Sequence, residues 1–545
     1  MSKNILKNKR SCVFILLFVL GTSVWLGGCD TAYKYDITDG IDNNGASEPD
    51  ITIDTEGGID VSMYEKARIF PGLVDTAKEE RINATIELDL NKQYIDSITL
   101  GVSKVPQPIY STGLYAGAGE QVAITVEDNT MGLSVIVGSH MDDLTELAPY
   151  QRMPLVYVAK ALFPGKNIIK NPLGGPIWIK KSLGLKASGT CSLKIEGVYK
   201  SPDFVIGETD LQDWKRRISE TTVPWLEIRG KHFAFTVQKD RVLDNLESIS
   251  STLQEVGKEW DEAIEEFFFE YYGLKIDKDA EEKERAPEFP FRVVLDVQVL
   301  GNLYLRNSDY AIVAINNTYM LEEMLNLRTL RIGNSVALLS AINSMCTYRS
   351  RNNPWPADYR AVANAIPLYR IGKKNFSKEN AFGEIFPGEE NITTLFPKAI
   401  EYAMADSSKW AKEDAATKYD DKTAYKAFDL LSLIQLANYD DNNWEAMKYL
   451  NLKAKEERSI DNSTLSYAFR MLCDYFKQNL CPFFDYWGVE QLDEDRKYAE
   501  QYPLMDKKIW EYNPLNPQQV KDYDVSSYCY RHSRRDWKVY PYDKG

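Results

Sequence analysis

Gly333-Asn-Ser-Val-Ala-Leu-Leu-Ser-Ala-Ile-Asn-Ser-Met345 is the stretch around which the larger half of this chain is organised. Leu338, Ala341, Ile342 and Met345 recur at spacings of three and four residues, which places them on one face of a helix. An apolar face of this kind normally packs into a protein core. The pattern therefore predicts a buried helix in the middle of the larger half.

Composition and charge limit the class of protein. The chain has 545 residues, of which 44% are hydrophobic and 12% aromatic, and this is a globular composition long enough for about two to three domains. The formal net charge is −15. Because the phosphates of nucleic acids demand a basic surface, this charge argues against a nucleic-acid partner.

The first 29 residues have the features of a targeting segment. A basic start precedes an apolar run, Val13 to Leu20, that is too short to span a membrane. The ending Leu26-Gly-Gly-Cys29 resembles the bacterial lipobox, which implies a lipoprotein signal peptide over 1–28 and lipid attachment at Cys29. The alternative is an ordinary secretory signal with a chance cysteine. We expect a protein held by its lipid on the outer membrane, at the cell surface of a Gram-negative bacterium.

The pattern of the remaining chain changes once. Residues 29–60 are polar and predict a flexible tether. Residues 61–205 contain short β-rich runs between Gly and Pro residues, which predict an antiparallel β-sandwich. Residues 206–488 are mainly helical, apart from a buried strand that begins at Phe291, and residues 489–545 predict an irregular extension. The predicted fold class is α+β.

Several phrases resemble the enhancin-like, mucin-directed zinc metallopeptidase family of the gluzincin type. They occur in the family's order along residues 110–490 and include Thr112-Gly-Leu-Tyr115, Gly138-Ser-His-Met-Asp-Asp-Leu144, Asn171-Pro-Leu-Gly-Gly-Pro-Ile177, Pro224-Trp225 and Pro482-Phe-Phe-Asp-Tyr-Trp-Gly488. The resemblance implies a metallopeptidase-like domain that follows the sandwich.

The family's zinc site rests on H-E-x-x-H, which places two imidazoles one helical turn apart, and on a glutamate from the next helix. This chain has no H-E-x-x-H and no histidine between residues 233 and 531. Matching places Leu338 and Ile342 where the two histidines belong, Leu339 in place of the general base, and Ala361 at the third ligand. Because aliphatic side chains cannot hold zinc, the sequence predicts no catalytic residues, no metal and no cofactor.

The leading hypothesis is therefore a pseudo-peptidase that binds an O-glycosylated protein such as mucin, or its glycans. Aromatic rings pack on sugar faces, and the candidates near the former cleft are Tyr310, Trp355, Tyr359 and Trp487. One alternative is a scaffolding or glycan-capture lipoprotein of an outer-membrane uptake system. Another is hydrolysis at a relocated site, for example at Glu322 and Glu323, although adjacent carboxylates do not share a helix face.

Overall fold

The computed structural model describes residues 70–142, 151–185, 187–299, 305–307, 312–315, 320–332, 336–347, 349–377, 385, 391–404, 424–439, 444–489 and 491–528. The predicted signal peptide and tether, Cys29 and Tyr310 lie outside the described residues. Within the described ranges, no helix is both long enough and apolar enough to cross a membrane.

Residues 82–200 form the antiparallel sandwich that the sequence predicts. Its strands are β1 (Ile82–Asp89), β2 (Ile109–Ala116), β3 (Gln121–Val126), β4 (Leu133–Val137), β5 (Val158–Leu162), β6 (Gly165–Lys170), β7 (Gly175–Lys181) and β8 (Thr190–Lys200). One layer has the order β1-β8-β3-β6 and the other β5-β4-β7-β2. The layers join where the end of β8 pairs with β2, at Tyr199 opposite Tyr115.

Alternating side chains hold the two layers together. In β8, Cys191, Leu193 and Ile195 are buried while the residues between them are less so. These side chains belong to one apolar core with inward residues of the other layer, such as Val135 and Ile179. Side chains that are alternately buried and exposed along a strand are typical of a strand with one face in the core.

A mixed sheet follows the sandwich. Its strands are β9 (Phe204–Val205), β10 (Trp225–Arg229), β11 (Phe233–Gln238), β12 (Phe291–Leu295), β13 (Leu305–Asn307) and β14 (Ile312–Ile315), in the order β13-β14-β12-β11-β10-β9. Strand β12 runs parallel to both of its neighbours, and all five of its residues are buried. Apart from Arg292 the strand is apolar, as is typical of a strand between two parallel neighbours, and the prediction of a buried strand from Phe291 is confirmed.

Helices make up most of the rest of the described chain. Their bounds are α1 (Leu211–Glu220), α2 (Lys239–Leu243), α3 (Leu246–Glu262), α4 (Met320–Leu325), α5 (Leu327–Arg331), α6 (Val336–Cys346), α7 (Ala357–Lys374), α8 (Ile392–Met404), α9 (Ala424–Ala437), α10 (Glu445–Glu456), α11 (Ser466–Phe476), α12 (Cys481–Tyr486) and α13 (Asp493–Ala499). A π-helical segment, Ala263–Phe269, continues α3. The α+β class, with a sandwich before a mainly helical part, is confirmed.

One helix lies in a part of the chain that was predicted to be irregular. Helix α13 falls within 489–545, and its first turn carries Asp493, Glu494 and Asp495. Carboxylates are favourable at a helix N-terminus because they face the positive end of the helix dipole. A seven-residue helix without a long apolar period leaves little pattern for a sequence reading to detect.

Two buried arginines, each paired with a carboxylate, attach the sandwich to the mixed sheet. Arg292 in β12 binds Glu227 in β10 at 2.8 Å, and its other nitrogen donates to the Ile109 carbonyl oxygen and the Ser111 hydroxyl in the sandwich. Arg152 makes a bidentate pair with Asp296, at 2.8 and 2.9 Å. Because these groups are buried, each pair fixes the relative placement of the elements that contribute to it.

Candidate functional site

Helix α6 is the predicted motif helix, and the prediction that Gly333–Met345 contains a buried helix is confirmed. It begins at Val336 and ends at Cys346. Leu338, Leu339 and Ile342 have no accessible surface and belong to the large core cluster of the helical part. Ser344, on the opposite face, is exposed. The two positions matched to histidines therefore point into a packed apolar interior.

Helix α7, which carries the matched third-ligand position, packs directly against α6. Asn343 in α6 donates its side-chain amide to the Asn364 carbonyl oxygen at 2.7 Å. Ala361 in α7 is exposed, whereas Leu338 and Ile342 are enclosed. The structure therefore does not bring Ala361 into the enclosed environment of the other two positions.

The side chains at these positions do not fit a zinc ion. Zinc requires nitrogen, oxygen or sulfur ligands at about 2.0–2.3 Å, and Leu338, Ile342 and Ala361 carry only hydrocarbon. Among the residues that the structure describes, no group of three His, Cys, Asp or Glu side chains is arranged to hold a metal ion.

The two described histidines have other partners. The Nε2–H of His140 donates to the Leu295 carbonyl oxygen at 2.6 Å, and its Nδ1 lies 3.1 Å from the Ser139 hydroxyl. Burial lowers the pKa of His140 to about 4, so the imidazole is neutral at physiological pH. His232 lies 2.7 Å from the carboxylate of Glu265. Both imidazoles therefore make hydrogen bonds that join separate segments of the fold.

A buried carboxylate lies at the N-terminal end of α6. The Leu338 backbone N–H donates to Glu323 at 3.3 Å, so a side chain from α4 caps the first turn of α6. Burial raises the pKa of Glu323 to about 7, and the charge of Glu322 adds to this effect. Glu322 itself is exposed, so the two adjacent carboxylates do not form a catalytic pair. The sequence shows the pair, but nothing in its pattern distinguishes the buried member.

The candidate ligand-binding aromatics have different environments. The Trp487 ring is 1% exposed and its Nε1–H donates to Gln435 at 2.9 Å, so it offers no face to a sugar and that assignment is wrong. Trp355 is 4% exposed and stacks on Tyr359, with ring centroids 6.3 Å apart. Buried apolar surroundings make Trp355 a support for Tyr359 and not a binding surface.

Tyr359 contributes to the wall of a small cavity of about 260 Å³. The Tyr359 side chain is 4% exposed. The lining also includes the apolar residues Pro356, Leu465, Phe469, Phe484, Val489 and Leu492 and the polar residues Ser463, Thr464, Ser466, Gln491 and Asp495. The Asp495 carboxylate accepts hydrogen bonds from Ser466 and Arg470, at 2.6 Å each. Ligand sites usually measure about 300–1,000 Å³, so this cavity suits one small group such as a sugar ring.

Two family models match adjacent regions of the chain. The N-terminal domain of M60-like peptidases matches residues 80–195. The model for peptidase M60, enhancin and enhancin-like proteins matches residues 197–331. The second match stops before α6, the helix that carries Leu338 and Ile342.

The curated relatives that this chain matches are longer than the chain. TRPM8 channel-associated factor 2 of Homo sapiens is 27% identical over 195 residues, which is 35% of this chain and 19% of that protein. TRPM8 channel-associated factor 3 of Mus musculus is 24% identical over 424 residues, which is 74% of this chain and 40% of that protein. The chain therefore spans less than half the length of these relatives.

Solved structures share the fold at low identity. A functionally unknown conserved protein from Bacillus anthracis gives a TM-score of 0.59 at 19% identity, over 81% of this chain and 84% of that one. The M60 catalytic domain of ZmpC from Clostridium perfringens, in complex with the sialyl T antigen, gives 0.58 at 15% identity, over 79% and 82%. A metallopeptidase in complex with the Tn antigen gives 0.58 at 16% identity, over 78% and 80%. The solved structures show that the fold is shared over most of the chain, and the family matches show that residues 80–331 are those of a member of the M60, enhancin and enhancin-like peptidase family.

Proposed function

We propose that this protein is a pseudo-peptidase that binds O-glycosylated protein, such as mucin, or its glycans, without cleaving it. The observation that carries the proposal is the hydrocarbon at both histidine positions of α6, Leu338 and Ile342, each without accessible surface. A metal site cannot be restored there by a change of side-chain rotamer, because the side chains carry no donor atom. The metallopeptidase mechanism has lost its centre while the surrounding fold remains.

Glycan binding is supported by two further observations. Two structural neighbours were solved in complex with the sialyl T and Tn antigens. In this chain, the cavity beside Tyr359 combines aromatic walls with the Asp495 carboxylate and the Gln491 amide. Sugars present apolar ring faces and hydroxyl groups, and this combination of walls suits both. We also propose that Cys29 carries lipid and holds the protein on the outer membrane, where extracellular glycoproteins are accessible.

The loss of zinc is tested by elemental analysis. Purified protein, exchanged into neutral buffer without chelator, is expected to contain far less than one zinc per chain. It is also expected to leave mucin intact in the presence and absence of added zinc. One tightly bound zinc per chain, or proteolysis that a chelator abolishes, would contradict the proposal.

Glycan binding is tested on an array of mucin-type glycans with matched variants. Tyr359→Leu removes the ring from the cavity wall and is expected to weaken retention by at least about tenfold, or 1.4 kcal/mol. Tyr359→Phe keeps the ring and is expected to retain binding. Trp487→Phe, a core change at a residue that does not line the cavity, serves as the control for stability. An array with no retained glycan would favour a scaffolding lipoprotein over a glycan-binding one.

A further inference from the structure

A second cavity has a lining different from that of the Tyr359 cavity, and half of its lining residues are cations. It measures about 590 Å³ and lies between the segment after α6, the end of α10 and the turn at residues 98–101. Its charged lining consists of Lys283, Arg349, Arg351, Lys455, Arg458 and Glu457. In a chain with a net charge of −15, five cations and one carboxylate around one cavity form a local reversal of charge.

Most of these cations have no carboxylate partner among the described residues. Arg349, Arg351 and Arg458 are exposed and form no ion pair in the described part of the chain. Lys283 pairs with Glu281 at 3.2 Å and is half exposed. Like charges that share a cavity repel each other, so an anion that enters the cavity lowers this repulsion.

Lys455 is the enclosed member of the group. Its ammonium donates to the Gly273 carbonyl oxygen at 3.4 Å, and no described carboxylate lies within ion-pair distance. Its alkyl stem packs under the turn at Gly101, where a Cβ would lie 3.7 Å from the lysine Cγ. The C-terminal dipole of α10 favours a cation at Lys455, but the arginines lie beyond the helix ends.

The backbone that carries the arginines is held in place. The Ile460 N–H donates to the Arg351 carbonyl oxygen at 2.8 Å, and the Asn352 side chain donates to the Glu457 carbonyl oxygen. The two segments that supply most of the cations are therefore tied to each other. A site with a fixed backbone loses less entropy when it binds a ligand.

We propose that this cavity binds the oxyanion group of a ligand: a sulfate, a phosphate or a cluster of carboxylates. Guanidinium groups present planar pairs of donors that match these oxyanions, whereas a halide has no matching geometry. The cavity is larger than a bare oxyanion and lies within the usual range for small ligands, so the group is carried on a larger framework. The proposal is independent of glycan binding at Tyr359 and of the loss of zinc.

The test is isothermal titration of the full chain with sulfate, phosphate and citrate, at ionic strength kept constant with NaCl. We expect saturable binding of at least one of them, and the order of affinity identifies the type of oxyanion. The variant Arg349→Glu/Arg351→Glu is expected to weaken that binding by at least tenfold. The control Arg241→Glu/Lys497→Glu changes the net charge equally at two exposed residues outside the cavity and is expected to leave binding unchanged.

A sulfated disaccharide and its unsulfated counterpart then show whether the framework contributes. Tighter binding of the sulfated disaccharide than of inorganic sulfate is expected, with no binding of the unsulfated one. Absence of saturable binding for all three anions would overturn the proposal. Equal weakening by the cavity variant and by the control would do so too, because it would show a general effect of net charge.

The pH dependence of sulfate binding gives a separate readout, because sulfate does not titrate between pH 6 and 8. Burial lowers the pKa of Lys455 to about 7, so its charge is lost as the pH rises through this range. The facing groups Glu284, with its pKa lowered by Lys275, and Cys346, with its pKa raised by burial, keep their charge states there. The other facing charges are those of Lys275 and of the cavity lining.

We expect the affinity for sulfate to fall severalfold from pH 6 to pH 8. The variant Lys455→Met is expected to remove this pH dependence. A pH dependence that persists in Lys455→Met would contradict the role of this lysine.

Discussion

At the residue scale, the important property of Leu338 and Ile342 is that their side chains carry no nitrogen, oxygen or sulfur atom. An imidazole buried without a partner costs free energy, since its polar nitrogens lose water without replacement. Without a bond to a metal that offsets this cost, an apolar side chain is more stable than an imidazole in the same buried position. The core cluster around α6 is therefore consistent with a former site that has been filled by apolar packing.

This interpretation predicts the cost of restoring a single histidine. Leu338→His places an imidazole in a fully enclosed apolar site and is expected to lower the free energy of unfolding by about 2–5 kcal/mol. Ser344→His on the exposed face of the same helix is the matched control, with an expected change within about 0.5 kcal/mol. Chemical denaturation measures both. Equal effects of the two changes would show that residue 338 is not in the core.

Glu323 predicts a pH dependence of stability. Burial raises its pKa from 4.5 to about 7, so the folded protein holds this proton more tightly than the unfolded chain does. The stabilisation is fully present below pH 4.5 and is lost as the pH rises through 7, with a total of at most about 3 kcal/mol. Glu323→Gln is expected to remove this contribution to the pH dependence and to raise stability at pH 8 relative to the unaltered protein.

The adjacent carboxylate provides the control for that experiment. Glu322 is exposed, so Glu322→Gln is expected to leave the pH profile of unfolding unchanged. Denaturation midpoints measured from pH 4.5 to 8.5 compare the two variants. Parallel profiles for Glu323→Gln and the unaltered protein would contradict a raised pKa at Glu323.

At the element scale, β12 connects the two parts of the structure. Its Arg292 lies over the Trp178 ring of the sandwich, 4.5 Å from the ring centre, and pairs with Glu227 of the mixed sheet. Burial alone would raise the pKa of Glu227, but the positive charges of Arg292 and Arg229 hold it below its ordinary value. The carboxylate is thus kept charged in the interior by its partners.

This arrangement predicts a strong coupling between Arg292 and Glu227. Arg292→Met leaves a buried carboxylate without its main partner and is expected to cost about 3–5 kcal/mol. Combining it with Glu227→Gln removes the stranded charge, so the double variant is expected to be more stable than Arg292→Met alone. Arg216→Met, at an exposed ion pair on α1, is the control and should change stability little. Additive effects in the double variant would rule out the coupling.

At the scale of the whole molecule, the sandwich and the mixed sheet share a core. Ile109, Ile136 and Trp178 of the sandwich pack in one apolar cluster with Val294 and Ile312 of the mixed sheet. Separating the two parts would expose this cluster, break the Arg152–Asp296 pair and remove the hydrogen bonds from Arg292 to Ile109 and Ser111. Parts joined in this way unfold together when the shared interface is a large fraction of their stability.

We therefore expect a single thermal unfolding transition for the folded part of the chain. A fragment limited to residues 61–205, the predicted sandwich domain, is expected to aggregate or remain partly unfolded because Trp178 and its neighbours lose their cover. Calorimetry of the full chain gives the number of unfolding transitions, and near-ultraviolet circular dichroism of the fragment shows whether its aromatic side chains are packed. Two separated transitions, or a monomeric fragment with native-like aromatic signals, would show independent domains.

The sequence alone determined the features that depend on local periodicity and residue type. Alternation over 61–205 indicated strands, the spacing of Leu338, Ala341 and Ile342 indicated a helix, and the absence of histidine in the middle of the chain excluded H-E-x-x-H. Each of these follows from neighbours within a few residues or from a residue that is missing. Family phrases spread along the chain then gave the α+β order of its parts.

Only the tertiary structure decided which side chains are enclosed and which distant segments meet. Trp487 and Tyr359 are both buried aromatic residues of one core cluster, yet only Tyr359 also lines a cavity. Glu322 and Glu323 are neighbours, yet only Glu323 is buried. The cations around Lys455 come from three segments of the chain, at Lys283, at Arg349 and Arg351, and at Lys455 and Arg458. Burial and long-range proximity depend on how elements pack, and local sequence carries little information about that packing.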